Sequence, residues 1–277
     1  MKTLLSLGHG YSAQALARRL VPQGWQITGT TRDPAKARAI RDSGVRPLLL
    51  PTDLRPALEA ASHLLISIAP DDQGDPVLRS HAAQIAAARP DWVGYLSTTG
   101  VYGDRQGGWV DERSPLEPLT RRGVQRAEAE AAWQRMGLPL HIFRLAGIYG
   151  PGRGPFEKVR AGTARLIVKQ GQVFSRIHVD DIAQVLEASI NAPAPGTIYN
   201  VCDDDPSPPD EVLAYAADLL GLPRPPEIPY DEAEMTPLAR SFYAESKRVR
   251  NDRIKAELGV RLLYPTYREG LAALAGA

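Results

Sequence analysis

The sequence has 277 residues, a single cysteine, almost no surplus of either charge and no long apolar run. With Cys202 alone, neither an internal disulfide nor a cysteine-based metal cluster can form, and we expect Cys202 to be a core thiol at the end of a strand. Because 33 basic residues are balanced by 32 acidic ones, a basic surface for nucleic acid is not expected. No apolar stretch approaches the roughly 20 residues that span a bilayer, and no signal-peptide pattern is present. These absences predict a cytoplasmic, soluble protein without a metal, a membrane partner or a nucleic-acid partner.

The first clear pattern is an apolar run of strand type that ends in two glycines. Leu4–Leu7 leads into Gly8-His9-Gly10-Tyr11-Ser12-Ala13, and apolar residues then recur at helical spacing as far as Val21. In a phosphate-binding turn, Gly8 permits the tight turn, Gly10 lets the backbone approach a pyrophosphate, and Ala13 lets helix and strand pack closely. The alternative is an ordinary strand–helix turn that contains glycines. We predict a dinucleotide site with contacts from Gly8, Gly10, Tyr11, Ser12 and Ala13.

Strand and helix signals alternate along the first two thirds of the chain. This alternation predicts an α/β fold, a doubly wound parallel sheet of the Rossmann type. Asp33 and Pro34 predict a helix start, with Asp33 as the N-cap. The predicted strands are 25–30, 45–50, 63–68, 92–97, 140–146 and 198–201, and the main predicted helices are 77–88, 122–135 and 180–191.

A proline- and glycine-rich segment, 150–155, and a proline cluster, 206–209, interrupt this pattern. We therefore predict a dinucleotide-binding domain formed by 1–150 and 176–205. A smaller substrate-binding lobe, which we expect to close over the mouth of the sheet, is formed by 151–175 and 206–277. Helices near 211–220 and 252–258 are predicted in this lobe, the second ending at Gly259.

The end of the second strand indicates which dinucleotide is bound. A carboxylate at this position hydrogen-bonds the ribose hydroxyls of NAD, whereas an arginine accommodates the 2′-phosphate of NADP. The sequence there is Gly29-Thr30-Thr31-Arg32, without an acidic residue at the strand end. Thr31 and Arg32 therefore favour NADP over NAD, although Arg32 could also be an exposed charge before the next helix. Asp33 could contact ribose, but its capping role already explains it.

Several blocks, in order along the whole chain, resemble the extended short-chain dehydrogenase/reductase superfamily and its NAD(P)-dependent epimerase/dehydratase group. The second half contributes His178-Val179-Asp180-Asp181 and the closing segment 264–271. By this resemblance, Asp53 is expected to contact adenine, and Ala69 and Pro70 to line the cofactor. The remaining matching blocks are 97–103, which ends in Val-Tyr-Gly, 144–152, which ends in Tyr-Gly-Pro-Gly, and 199–201.

The resemblance also implies a catalytic Tyr-x-x-x-Lys pair after the fifth strand, and this sequence lacks it. Arg122 occupies the tyrosine position and Arg126 the lysine position. A guanidinium, with a pKa above about 12, cannot exchange protons near neutrality as such a tyrosine does. Arg126 could still bind ribose hydroxyls and Arg122 an anionic substrate, or both could lie on one solvated helix face.

Thr98 stands where the superfamily places the hydroxyl that binds the substrate oxygen, with Thr99 as the neighbouring candidate. Tyr102 and His178 are further candidates for substrate contact, although both could be buried structural residues. A loop carboxylate, Asp111 or Glu112, is an alternative proton-transfer group.

The sequence thus favours an atypical NADP-binding oxidoreductase or epimerase-like enzyme that acts on a polar small molecule, such as a nucleotide sugar. The alternative is an NADP-binding sensor or regulatory protein without catalysis. A homodimer formed through helices 77–88 and 122–135 is a further possibility that the sequence leaves open.

Overall fold

The computed structural model describes residues 2–276, apart from the side chain of residue 238. The strands are β1 (Thr3–Leu7), β2 (Gln26–Thr31), β3 (Arg46–Leu49), β4 (His63–Ile66), β5 (Trp92–Thr98), β6 (Trp109–Val110), β7 (Leu140–Leu145), β8 (Gly147–Tyr149), β9 (Leu166–Val168), β10 (Arg176–His178), β11 (Ile198–Val201), β12 (Glu227–Pro229) and β13 (Arg248–Val249). The α-helices are α1 (Tyr11–Leu20), α2 (Pro34–Asp42), α3 (Arg55–Glu59), α4 (Pro76–Ala88), α5 (Arg121–Gln134), α6 (Phe156–Arg160), α7 (Val179–Asn191), α8 (Pro209–Leu219), α9 (Pro237–Tyr243), α10 (Asp252–Leu258) and α11 (Tyr267–Ala275). Short 3₁₀ helices cover Val21–Gln23 and Thr99–Tyr102.

The central sheet has the order β3-β2-β1-β4-β5-β7-β11, and all its neighbouring strands pair in parallel. The strand order reverses between β1 and β4, and ligands of such sheets bind beside this point at the carboxyl ends of the strands. The predicted doubly wound parallel sheet is confirmed.

Side chains of β1 alternate between the two faces of the sheet, as the period of a strand requires. Leu4 packs with α1 and α7 in one hydrophobic cluster, whereas Leu5 packs with α3, α4 and α5 in the other. Helices therefore cover both faces, and the sheet is buried between them.

The structure contains the predicted capping residues at the start of α2 and at the end of α10. The Asp33 carboxylate accepts a hydrogen bond from the Ala35 N–H, and Gly259 ends α10 in the left-handed conformation, at a φ of 63°. Two boundaries differ from prediction by two residues, and several others differ by one. The strand predicted over 63–68 ends at Ile66, and α8 begins two residues before the predicted Glu211, because Pro209 can occupy the first turn.

Three two-stranded parallel pairs, β8 with β10, β9 with β12 and β6 with β13, were not predicted from the sequence. Each of these strands has only two or three residues, which is too few for an alternation of apolar and polar residues to be recognised in the sequence. A third hydrophobic cluster joins α6, α8 and α11, all outside the central sheet. The division into two domains stays a prediction, and its first and last residues, 1 and 277, lie outside the described residues. None of the helices within 2–276 is long and apolar enough to cross a membrane.

Candidate dinucleotide site and catalytic cleft

The turn between β1 and α1 is built as the glycine pattern predicts. Gly8 has a φ of +86°, and a Cβ there would lie 2.8 Å from Cγ1 of Ile68, so a larger residue fits poorly. The Gly8 N–H donates to Oγ1 of Thr30 at 2.8 Å, which ties the turn to β2. Ala13 is buried against the sheet, where its small side chain allows close packing.

Gly10 differs from Gly8, because open space lies in front of it. A Cβ on Gly10 would have only the Gly8 carbonyl oxygen nearby, at 3.9 Å. Gly10 is the N-cap of α1 and supplies no side-chain cap, and the first turn of α1 has no acidic residue. The positive end of the α1 dipole is therefore not neutralised by its own first turn, which suits an anionic ligand.

Tyr11 and Ser12 follow in the first turn of α1. Ser12 is buried, whereas the Tyr11 hydroxyl reaches out of the turn and donates to the carbonyl oxygen of Pro151 at 2.9 Å. The Arg153 guanidinium lies 5.7 Å from the Tyr11 ring. Tyr11 thus connects the glycine turn to the Gly150–Gly154 loop.

At the end of β2, the Arg32 side chain has no partner within 2–276, whereas the Asp33 carboxylate caps α2. Oγ1 of Thr31 accepts from the Asp33 N–H at 3.1 Å, and Oδ1 of Asp33 accepts from the Ala35 N–H at 2.9 Å. Arg32 is exposed, with no hydrogen bond or ion pair to any other residue within 2–276. A guanidinium without a partner beside a capped helix start is suited to bidentate phosphate binding.

The remaining predicted cofactor residues lie at the same edge of the sheet, after β3 and β4. Oδ1 of Asp53 accepts from the Arg55 N–H at 3.0 Å, at the start of α3. Ala69 is exposed and Pro70 half-buried in the loop after β4. The structure therefore brings the glycine turn, Arg32, Asp53 and the Ala69–Pro70 loop to the carboxyl ends of consecutive strands of the sheet.

Thr98 is the last residue of β5 and lies at this edge too. Its Oγ1 accepts from the Gly100 N–H at 3.2 Å, where the chain enters the 3₁₀ helix that begins at Thr99. Thr98 and Thr99 are both half-buried.

Helix α5 packs closely against the turn that follows Thr98. A Cβ on Gly123 would lie 2.9 Å from the Gly100 carbonyl oxygen, so the helix approaches to a distance that only glycine allows. This packing places the start of α5 against the turn that follows Thr98. Arg122 is exposed, and its guanidinium lies 5.1 Å from the ring of Phe242 and 3.3 Å from Oγ of Ser241, both on α9.

The chain resembles known proteins over its whole length. It is 30% identical to Protein YeeZ of Escherichia coli (strain K12), and the match covers 96% of this chain and 97% of YeeZ. It is 28% identical to human dTDP-D-glucose 4,6-dehydratase over 41% of this chain and 36% of that protein. No protein-family model matches the chain.

Two solved structures illustrate the likeness in three dimensions. A conserved protein of unknown function from Silicibacter pomeroyi DSS is 62% identical, with a TM-score of 0.97 over 100% of this chain and 99% of that one. Human epimerase family protein SDR39U1 (isoform2), solved with NADPH, is 19% identical, with a TM-score of 0.76 over 99% of both chains, and shows the fold alone.

The chain belongs to the extended short-chain dehydrogenase/reductase superfamily, in its NAD(P)-dependent epimerase/dehydratase group.

Arg122 and Arg126, which the sequence predicts at the catalytic positions of this superfamily, have different surroundings. Whereas Arg122 points toward α9, Nη1 of Arg126 donates to the Leu96 carbonyl oxygen at 2.8 Å and to the Tyr95 hydroxyl at 3.1 Å. Burial raises the pKa of Tyr95 to about 12, so this phenol stays protonated at neutral pH. Arg126 therefore fastens α5 to β5.

Tyr102 lies in the core rather than at the cleft. It is fully buried, its hydroxyl donates to Oδ1 of Asn200 at 2.7 Å, and it accepts from Nη1 of Arg144 at 2.9 Å. Burial raises the pKa of Tyr102 to about 12. Because the Tyr102 hydroxyl both donates and accepts a hydrogen bond inside the protein, we leave Tyr102 out of the substrate contacts proposed below.

His178 has the structural surroundings that the alternative interpretation expected. Its Nδ1 accepts from the Asp180 N–H at 3.2 Å at the start of α7, and its ring lies 4.1 Å from that of Tyr264. The side chain is buried, and burial lowers its pKa. We therefore leave His178 out of the proposed contacts as well.

Both loop carboxylates are engaged by hydrogen bonds. Oε1 of Glu112 accepts from the Asn200 N–H at 2.8 Å, and burial raises the pKa of this carboxyl group. Oδ1 of Asp111 accepts from Oγ of Ser114 at 3.0 Å. No group of three or more His, Cys, Asp and Glu side chains within 2–276 is arranged to hold a metal ion.

A buried ion pair behind Thr98 was missed from the sequence. Glu130, on α5, accepts from Nη2 of Arg144 at 2.7 Å and from Oγ of Ser97 at 2.5 Å. Both charged side chains are almost completely buried. The helical position of Glu130 was visible in the sequence, but nothing there indicated Arg144, on β7, as its partner.

A second missed contact joins the C-terminal segment to the loop after Tyr102. Nζ of Lys247 donates to the Gly103 carbonyl oxygen at 2.8 Å and to Oε2 of Glu245 at 2.7 Å, and both side chains are buried. This contact holds the segment after α9 against the loop that follows Tyr102.

Proposed function

We propose that the protein binds NADP(H) and acts as an epimerase/dehydratase-like oxidoreductase on a polar small molecule. Nucleotide sugars are the substrate class that the epimerase/dehydratase group suggests. The observation that carries the choice of NADP is Arg32, a cation without a partner at the end of β2, beside an Asp33 carboxylate that is occupied in capping α2.

The residues present fit the dinucleotide. The free first turn of α1 and the open space at Gly10 would hold the pyrophosphate, and Thr31 and Arg32 the adenosine end. Tyr11, Ser12, Asp53, Ala69 and Pro70 complete the proposed set. When bound, the nicotinamide supplies or accepts a hydride.

On the substrate side, the Thr98 hydroxyl orients a substrate oxygen, with Thr99 beside it. Arg122 stands at the tyrosine position and has no carboxylate partner within the described chain. It binds an anionic or strongly polar group of the substrate by charge-assisted hydrogen bonds. Because a guanidinium keeps its proton near neutrality, the proton needed for turnover comes from water or from the substrate.

The second candidate is a sensor that binds NADP without turnover, and the contacts of Arg126 favour it. Its guanidinium donates to Leu96 and Tyr95, within the protein, at the position where a catalytic lysine would face the nicotinamide ribose.

Thermal unfolding with NADPH, NADH, NADP⁺ and NAD⁺ tests the choice of cofactor in the wild type, in Arg32→Ala and in Arg38→Ala. Arg38, an exposed arginine in the middle of α2, serves as the control. We expect NADPH to stabilise the wild type and Arg38→Ala more than NADH does. Arg32→Ala should weaken NADPH binding by about tenfold to a hundredfold and leave NADH unchanged. Equal stabilisation by NADPH and NADH, or no effect of Arg32→Ala, contradicts the NADP assignment.

Thr98→Ser and Thr98→Val distinguish the enzyme from the sensor. A panel of sugar nucleotides is incubated with the protein and NADP⁺ or NADPH, and products are followed by chromatography. An enzyme that uses the hydroxyl keeps most of its turnover in Thr98→Ser and loses it in Thr98→Val. Tight NADPH binding without turnover of any compound supports the sensor instead.

A further inference from the structure

Thr98 lies in a short segment, residues 97–102, that consists of the last two residues of β5 and the 3₁₀ helix after them. We call it the threonine segment. Its first residue, Ser97, and its last, Tyr102, are both buried. Oγ1 of Thr98 accepts from the Gly100 N–H within the segment, so the position of this hydroxyl depends on the shape of the segment. The contacts that hold the two ends of the segment therefore fix the place of the Thr98 hydroxyl.

The buried ion pair of Glu130 and Arg144 is bonded to both ends of the threonine segment. At one end, Oγ of Ser97 donates to Oε1 of Glu130 at 2.5 Å. At the other end, Nη1 of Arg144 donates to the Tyr102 hydroxyl at 2.9 Å, and the guanidinium lies 5.0 Å from the Tyr102 ring. The remaining donors of Arg144, Nε and Nη2, bind the Glu130 carboxylate. Each member of the pair thus holds one end of the segment.

The two members of the pair come from two different elements that pack on the segment. Arg144 lies opposite Ser97 in the register of β7 with β5, and Glu130 belongs to α5. Helix α5 also contacts the segment at Gly100, whose carbonyl oxygen would lie 2.9 Å from a Cβ on Gly123. A displacement of the threonine segment would therefore require a displacement of α5 or β7, or the loss of these hydrogen bonds.

Filling the core does not require charges at these positions. The Arg144 and Glu130 side chains are only 4% and 3% exposed, and taking two charges out of water is costly. Apolar residues of similar volume often stabilise a core as well as such a pair or better. Apolar side chains could not bind the Ser97 and Tyr102 hydroxyls, however, whereas a polar network whose members are bonded to one another makes its surroundings rigid.

We propose that Glu130 and Arg144 are positioning residues for Thr98. By holding Ser97 and Tyr102, they keep the threonine segment in one shape, so that the Thr98 hydroxyl is already in place when the substrate oxygen arrives. The inference rests on the proposed contact of Thr98 with the substrate.

Ser97→Ala and Tyr102→Phe release the two ends of the segment, one at a time and together. Both variants keep the ion pair, so neither leaves a buried charge without its partner. Ser189→Ala, on α7, is the matched control, because Ser189 is also buried and its Oγ accepts from Nε1 of Trp92 at 3.2 Å. Trp92 is the first residue of β5, at the opposite end of the strand from Thr98.

The Gly100 N–H, observed by NMR in protein with isotope-labelled glycine, reports on the Thr98 hydroxyl to which it donates. In the double variant we expect this N–H to exchange with solvent about tenfold faster or more, beyond what the change in global stability accounts for. After the same correction, Ser189→Ala should leave its exchange unchanged. A purely structural role would change global stability without this local effect.

Turnover supplies the second readout, on any sugar nucleotide that the wild type converts. The double variant should lower kcat by about tenfold or more and leave the Kd for NADPH unchanged, whereas Ser189→Ala should change neither. Exchange of the Gly100 N–H that follows global stability in every variant, or an unchanged kcat in the double variant, overturns the inference. The exchange measurement decides without a substrate, and a wild type that converts no compound of the panel overturns the proposed function instead.

Discussion

The two ends of the predicted active site differ in how their polar groups are used. At the dinucleotide end, the first turn of α1 and the Arg32 guanidinium have no partner that the described chain supplies. At the catalytic end, Arg126 is bonded to β5 and Glu130 to Arg144. The dinucleotide end therefore has polar groups available to a ligand, whereas the polar groups of Arg126 and Glu130 at the catalytic end hold α5 on the sheet.

This difference indicates that binding and chemistry are specified separately in this fold. The sequence predicts arginine in place of the superfamily's tyrosine and lysine, which would remove the usual proton-transfer group and leave Gly8, Gly10 and Arg32 unaffected. Variants at the catalytic end should therefore alter stability or turnover, and variants at the dinucleotide end should alter nucleotide affinity.

The largest effect is expected when the ion pair behind Thr98 is broken. Arg144→Met leaves the Glu130 carboxylate buried without its partner and should lower the free energy of unfolding by about 3–5 kcal/mol. Urea unfolding measures this loss. A loss below about 1 kcal/mol would show that α5 is held mainly by its apolar contacts.

Gly10→Val tests the dinucleotide end of the predicted site. Its side chain would fill the open space before α1 and should weaken NADPH binding on the order of a hundredfold or more. Since Gly10 has a φ of −94° and no close neighbour, the folded protein should retain its unfolding temperature.

Gly8→Ala is the matched comparison, because the φ of Gly8 and its contact with Ile68 make folding itself sensitive there. It should lower the unfolding temperature, unlike Gly10→Val. Full NADPH affinity in a folded Gly10→Val protein would mean that the turn does not bind the pyrophosphate.

Burial keeps the His9 ring neutral and makes stability depend on pH. With a pKa of about 4 in the folded protein against 6.5 for the ordinary group, the unfolded chain binds the extra proton between these values. Stability should therefore fall as pH is lowered from about 6.5 to 4, by at most about 1.4 kcal/mol per pH unit from this residue. His9→Leu should flatten the curve in that window. Parallel curves for the two proteins would show that His9 is not kept neutral by folding.

The smallest effect is expected for Arg126→Met. It removes two hydrogen bonds and the contact of the guanidinium with the Tyr95 ring, so we expect a loss of about 1–2 kcal/mol in unfolding free energy and unchanged NADPH affinity. A clear loss of NADPH affinity at unchanged stability would instead indicate that Arg126 binds the ribose, as the lysine of the superfamily does.

The sheet and the glycine turn could be predicted from the sequence because their signals are local. A strand period, two glycines and a capping Asp33 each lie within a few residues. The boundary errors, as at Ile66 and Pro209, come from strand and helix ends, where local preference is weakest.

The rest of the site depends on contacts between distant residues. Arg144 lies 14 residues after Glu130, and the Lys247 side chain meets a carbonyl 144 positions away. Tyr102 was a candidate for substrate contact, but its hydroxyl bonds Asn200 and Arg144 in the core. No local pattern carries such information.

The crystal structure of the NADP⁺ complex tests the central claim most directly. The account predicts the 2′-phosphate within hydrogen-bond distance of the Arg32 guanidinium, the pyrophosphate at the first turn of α1, and the nicotinamide toward Thr98. A 2′-phosphate out of contact with Arg32, or a dinucleotide bound away from the glycine turn, would contradict it.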